Sequence, residues 1–261
     1  MGQKITDEHN GIVFEVMEDD TINGKKERRR GVYLVPNLIT SLSLLSAFFS
    51  LTLSADGHFY KAALAIFISA ILDGMDGRAA RLLNAQSPFG EQYDSLADMV
   101  AFGLAPAMLA YHFALQYLGR FGLACAFVFA ACAAFRLARF NIQIGVVDKK
   151  FFIGLASPLA ALLIASSTMV LLDLQINFTQ SNLTIFIAIW TAVCGLLMVS
   201  NVKYYSFKDF DRKKVPFVVL MAMVLLMVAV IYDIPMGILM LGIVYALSGF
   251  VITLRHKNEK I

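Results

Sequence analysis

Long apolar stretches recur along the chain, separated by short polar ones, and eight of them approach the ~20 residues that a helix needs to cross a hydrocarbon core. They run over 34–54, 59–77, 95–117, 121–140, 152–173, 183–200, 215–232 and 235–254. This pattern predicts an all-α, polytopic membrane helix bundle. Two of the stretches are broken where they face each other, by LDGMDGRAARLLNAQSPFGEQYDSLAD at residues 72–98. Lipid cannot hydrate charge, so these ends must face protein, water or metal.

Composition sharpens the picture. Of 261 residues 59% are hydrophobic and only 16% charged, against ~45–50% apolar residues in a typical soluble domain. Cationic side chains then orient the bundle. With a cytoplasmic N-terminus, only Lys61 and Arg120 fall on the outer side, while Arg136 and Arg139 lie at the inner end of the fourth span. Both termini and the aspartate-rich stretch are therefore expected to face the cytoplasm, in an inner membrane. Residues 1–30, with EVMEDD followed by GKKERRR, read as a polar cytoplasmic tail,. Cys125, Cys132 and Cys194 lie inside spans without ligand spacing and read as packing residues,.

Asp73 and Asp76 are three apart, Asp94 and Asp98 four apart. On helices each pair shares one face. Between the pairs, Asn84, Ser87, Pro88 and Gly90 signal a turn, so two helices form a hairpin across which the carboxylates converge,. Such anions need positive charge among them. Arg78 and Arg81 would make a salt-bridged plug; four hard oxygen ligands suit two divalent ions, Mg²⁺ or Mn²⁺, better than zinc. Gly77, Ala80 and Gly90 either allow close helix packing or clear space for a phosphorylated group, with Arg81 as a phosphate ligand. Spacing alone thus reaches phosphoryl chemistry on a lipid and stops there.

Asp73, Asp76, Gly77, Ala80, Arg81, Gly90, Asp94 and Asp98 fit the pattern D-x2-D-G-x2-A-R-x8-G-x3-D-x3-D without exception. This resembles the signature of the CDP-alcohol phosphatidyltransferases. The resemblance implies a six-helix membrane core, usually dimeric, with a dinuclear metal site open to the cytoplasm. Residues 31–200 would form that catalytic domain, and 201–261 a cytoplasmic loop with two additional helices. Further stretches, VPNLIT at 35–40, FGEQYDSLADMVAFGLAPA at 89–107, FRLARFN at 135–141 and FFIGLASPLAA at 151–161, are similar to the phosphatidylserine-forming branch. Ala156 departs from it, standing where proline is expected.

The resemblance implies transfer of a phosphatidyl group from CDP-diacylglycerol to the hydroxyl of L-serine, with release of CMP. On these positions Asp73, Asp76, Asp94 and Asp98 would hold the two metals, and Asp98 would also act as general base. Gly77, Ala80, Arg81 and Gly90 would bind the CDP portion, with Asn37 and Thr40 as weaker contacts. Arg136 and Arg139, three apart, either anchor the bundle at the inner interface or meet the serine carboxylate; Asn141 adds a polar contact there. Membrane lipids and a second copy of the chain are the other expected partners, and nucleic acid is not. Glycerol 3-phosphate, inositol or its phosphate, and choline stay open as acceptors, and a transporter using the carboxylates as an ion site is the remote alternative.

Overall fold

The computed structural model describes residues 21–22, 25–26, 34–143, 151–175, 181–205 and 232–258. Most of the tail, the seventh apolar stretch and the cationic loop before it lie outside the described residues. Helices dominate. They are α1 (Leu34–Ala55), α2 (Phe59–Leu82), α3 (Pro88–Asp98), α4 (Ala105–Phe113), α5 (Arg120–Gln143), α6 (Ser157–Asp173), α7 (Ser181–Val199) and α8 (Ile234–Asn258). Among the described residues four segments are long and apolar enough to span a membrane: Leu34–Ala55, Pro88–Phe113, Arg120–Ile142 and Asn182–Val199. The protein is thus a membrane helix bundle. Phe48, Phe49, Phe127 and Phe186 point outward, and alanine fills much of the interior. That inversion suits a lipid solvent, where close backbone approach replaces hydrophobic exclusion as the packing force.

The α1–α2 hairpin shows how such packing works. A tight turn at Gly57, in the left-handed region at φ 78°, joins the helices,. Along their seam Ser43 and Ser69 exchange hydrogen bonds, each hydroxyl donating to the other's carbonyl at 3.0 Å. Ser46 Oγ donates to the Ala65 carbonyl at 2.8 Å. Both helices are thereby fixed in register, which sets the height of the aspartates at the end of α2.

Three boundaries differ from the hydropathy pattern. The third span was expected from 95 but begins at Pro88. Ser87 caps it, accepting from the Gly90 amide at 3.0 Å, and proline occupies its first turn,. The polar first turns are helical for these local reasons, although hydropathy reads them as loop; Gly90 accordingly sits inside the helix. After Asp98 the chain widens into a π-helical segment, Met99–Leu104, before α4. The fifth span was expected from 152, but residues 151–153 instead form β1, paired antiparallel with β2 (Lys203–Tyr205).

The ribbon is followed by a turn that only glycine fits. Gly154 has φ 81°, and a Cβ there would lie 2.3 Å from the Met198 carbonyl oxygen. Ala156 has φ −61° and ψ 135°, the backbone that proline would impose. The substitution therefore leaves the loop's shape intact. Finally, α8 packs against α6 and β2. Cys125, Cys132 and Cys194 are free and buried in one hydrophobic cluster, as their positions predict.

Candidate active site

The ends of α2 and α3 meet as the three- and four-residue spacings require. One carboxylate oxygen each of Asp73, Asp76 and Asp94 lies within 4.8 Å of the others. Asp98, one turn beyond Asp94, hydrogen-bonds Asp73. Such a contact between two carboxyls requires a proton or a cation between them. At an effective dielectric of ~20, unit charges 4.8 Å apart repel by about 3.5 kcal/mol,. Three mutual pairs come to roughly 10 kcal/mol, comparable with the whole stability of a folded domain. The fold must neutralise them.

Arginine does not do so. Arg78 is exposed, and Arg81, also exposed, donates its Nε to the Gly77 carbonyl at 3.1 Å. Among the described residues no ion pair reaches the four aspartates, which excludes the salt-bridged plug there. Asp94 Oδ1 is buried without a hydrogen-bond partner. Asp76, 4% exposed, is held by Thr40 of α1, whose hydroxyl donates to Oδ2 at 2.7 Å. A cluster of acceptor-only oxygens, one orphaned and one oriented by a donor on a third helix, fits a hard divalent cation.

The positions expected around the nucleotide separate into two groups. Gly77, Ala80 and Arg81 occupy the last turns of α2. A Cβ on Gly77 would meet nothing closer than Arg81 Nη2 at 3.9 Å, so packing does not demand glycine there; the space beside the carboxylates is open. Gly90 is different. A Cβ there would stand 3.1 Å from Ser87 Oγ and 3.3 Å from Asn37 Oδ1, so its absence lets α1 approach the first turn of α3. Asn37 thus sits beside Gly90, whereas the Thr40 hydroxyl is turned to Asp76.

On α5, Arg136 Nη1 donates to Ser157 Oγ at 3.0 Å, and its Nε is buried without a partner. Arg136 lies within electrostatic reach of Asp98. Arg139 Nη1 instead donates to the carbonyl of Val199, the last residue of α7, at 3.3 Å. Asn141 is engaged by Ser95: its Nδ2 donates to Ser95 Oγ at 3.1 Å. It therefore ties α5 to the α3 turn that carries Asp94. Ser41 and Tyr93, whose hydroxyls lie 2.8 Å apart, brace α1 against α3 in the same way. Neither Ser95 nor Ser157 carries a sequence signal of its own beyond lying in the quoted stretches.

A family model of the CDP-alcohol phosphatidyltransferases matches residues 33–197. The chain belongs to this family. Among its relatives is the CDP-diacylglycerol–serine O-phosphatidyltransferase of Helicobacter pylori, 41% identical over 177 residues, or 68% of this chain and 74% of the relative. The Bacillus subtilis enzyme of that name is 36% identical, over 67% of this chain and 91% of the relative. The one from Methanocaldococcus jannaschii is 32% identical over 85% and 95%. CDP-alcohol phosphatidyltransferases are in general dependent on divalent metal, and the Asp73–Asp76–Asp94 cluster offers a place for one.

Proposed function

We propose that the protein is a phosphatidylserine synthase, transferring the phosphatidyl group of CDP-diacylglycerol to the hydroxyl of L-serine and releasing CMP. The observation that carries this reading is the carboxylate cluster at the meeting ends of α2 and α3, in a chain whose relatives bear that enzyme's name. Two divalent ions, Mg²⁺ or Mn²⁺, would be held by Asp73, Asp76, Asp94 and Asp98. When bound they neutralise pyrophosphate charge and ease deprotonation of the serine hydroxyl.

The chain's own residues do the rest. The serine oxygen forms a bond to the phosphatidyl phosphorus, the bond from that phosphorus to CMP breaks, and Asp98 accepts the hydroxyl proton. Thr40 keeps Asp76 oriented through its 2.7 Å hydrogen bond. Gly77 and Ala80 leave room for the CDP portion, Arg81 is placed to meet phosphate, and Asn37 borders the same space beside Gly90. Arg136 receives the serine carboxylate; its unpartnered Nε, beside the Nη1 held by Ser157, favours it over Arg139, which closes the end of α7. Asn141 acts through Ser95.

Residues 31–200 form the catalytic domain in this reading, between a tail at 1–30 and the added helices of 201–261. In this reading both termini and the site face the cytoplasmic side of the inner membrane, which the distribution of cationic residues along the sequence supports, and the protein works as a homodimer. The test is CMP release from CDP-diacylglycerol with Mg²⁺ or Mn²⁺, offering serine, glycerol 3-phosphate, inositol and choline in parallel. Turnover with serine alone is expected. A different preferred acceptor would refute the serine assignment, and silence with every alcohol would refute the transferase reading. Arg136→Ala should raise the serine KM by at least ~10-fold, as loss of a charge-assisted hydrogen bond does, and leave the CDP-diacylglycerol KM nearly unchanged. Arg139→Ala should have the smaller effect on serine.

A further inference from the structure

The family match ends at residue 197, so Tyr204 of β2 and the whole of α8 lie beyond it. Tyr204 is nevertheless one of the most enclosed side chains of the bundle. It is 1% exposed, its ring stacks on Tyr245 with centroids 5.2 Å apart and planes 19° from parallel, and its hydroxyl donates to the Ala246 carbonyl at 3.4 Å. The ring also fills a notch at Gly249, where a Cβ would stand 2.7 Å from its Cζ. All three contacts come from α8, and the ring fits there only because residue 249 has no side chain. A second glycine, Gly242, brings the same helix onto α6: a Cβ at that position would stand 2.6 Å from Leu163 Cδ2.

An enclosed tyrosine can be packing and nothing more. Tyr204, however, stands at one end of an unbroken run of short contacts. It pairs with Phe152 across the ribbon. Past β1, the Gly154 amide donates to the Val202 carbonyl at 2.9 Å, and the Leu155 amide to the Leu197 carbonyl at 3.0 Å. Next but one in the chain, Ser157 opens α6, fully buried, and its Oγ accepts from Arg136 Nη1 at 3.0 Å. A shift of the ribbon therefore moves the Ser157 hydroxyl with it.

We propose that Tyr204, seated in the Gly249 notch, is a positioning residue for the acceptor subsite. It fixes the ribbon that places Ser157, and Ser157 fixes the direction in which Arg136 offers the rest of its guanidinium to the carboxylate of an amino-acid acceptor. This inference rests on the synthase reading above. The guanidinium is planar and rigid, so anchoring Nη1 orients the buried, unpartnered Nε as well,. Recognition of a carboxylate by such a fork depends on that alignment. Side chains that position a site without touching the substrate act in this way, through the rotamers they lock.

The test uses the full-length protein in detergent–lipid micelles, comparing wild type with Gly249→Ala, which fills the notch and displaces the Tyr204 ring. CMP release is measured against serine and against CDP-diacylglycerol. The expected result is a serine KM raised about tenfold, as for loss of a hydrogen bond to a charged group. The CDP-diacylglycerol KM and kcat should stay within about twofold. Placed in an Arg136→Ala background, Gly249→Ala should change the serine KM by less than about twofold, because the residue through which it acts is gone. Tyr204→Leu, which vacates the notch instead of overfilling it, should repeat both results and replaces Gly249→Ala if that variant does not fold. An unchanged serine KM, equal rises in both KM values, or a full effect that persists without Arg136 overturns the assignment while leaving the synthase reading intact. A wild type that releases no CMP with serine overturns both.

Discussion

Asp94→Asn should abolish divalent-metal binding, lower CMP release by on the order of a thousandfold or more, and raise the melting temperature of the metal-free protein. The three effects share one cause. Asp94 brings a buried, unpartnered oxygen into a cluster whose carboxylates lie within 4.8 Å. Replacing it with the isosteric amide removes two of three mutual repulsions, each about 3.5 kcal/mol at an effective dielectric of ~20. Part of that is offset by the polar amide's own unmet hydrogen bonds. The net should be a gain of a few degrees in Tm, since 1 kcal/mol moves a domain of this size by about 2–4 °C. The wild type should gain Tm when Mn²⁺ is added, and the variant should not. Differential scanning fluorimetry with and without Mn²⁺, together with a paramagnetic-resonance titration of free Mn²⁺, checks each part. A variant that is less stable without metal and still binds Mn²⁺ would show that the cluster is held together by something other than a cation.

The sequence carried the carboxylate cluster because its logic is local. Asp73 with Asp76, and Asp94 with Asp98, need only helical spacing to share a face, and a turn between them to face each other. The span ends were harder to place wherever hydropathy and backbone chemistry disagree. Pro88–Asp98 is too polar to read as a span, yet Ser87 and Pro88 start a helix there regardless. Residues 151–153 are apolar enough to read as one, yet they pair with β2, and Gly154 ends them in a turn closed to any other residue.

What spacing could not reveal are the contacts between distant elements. Thr40 reads as a nucleotide contact by its place near the head of the first span, but its hydroxyl belongs to Asp76, 36 residues away. Asn141 reads as an acceptor contact but meets Ser95, 46 residues away. The first pairing depends on how α1 packs against α2 and the second on how α5 meets α3, neither of which residue spacing specifies. The two arginines look equivalent in FRLARFN. Only the placement of α6 and α7 separates them, giving Arg136 a serine and a vacant Nε, and Arg139 a helix end.

Asp98→Asn should separate chemistry from metal binding. Asp98 stands outside the trio that converges within 4.8 Å and touches it through Asp73. If Asp98 takes the serine proton, its amide cannot, because an amide oxygen is too weakly basic to hold it. A positioned general base contributes ~10²–10⁴-fold, so kcat should fall by that much. The serine and CDP-diacylglycerol KM values should change far less, since both substrates are held by other residues. Mn²⁺ should still bind at the Asp73–Asp76–Asp94 cluster, with only the contribution of Asp98 to the second ion weakened. Stopped CMP-release assays paired with a Mn²⁺ titration of the same preparation distinguish the cases. Retained Mn²⁺ with lost turnover assigns the proton to Asp98. Loss of all Mn²⁺ would make Asp98 a ligand as indispensable as Asp94, and unchanged turnover would move the base elsewhere. The contrast with Asp94→Asn is the informative quantity: two substitutions four residues apart on one helix face, of identical chemistry, should differ in metal affinity because one oxygen points into the cluster and the other lies at its edge.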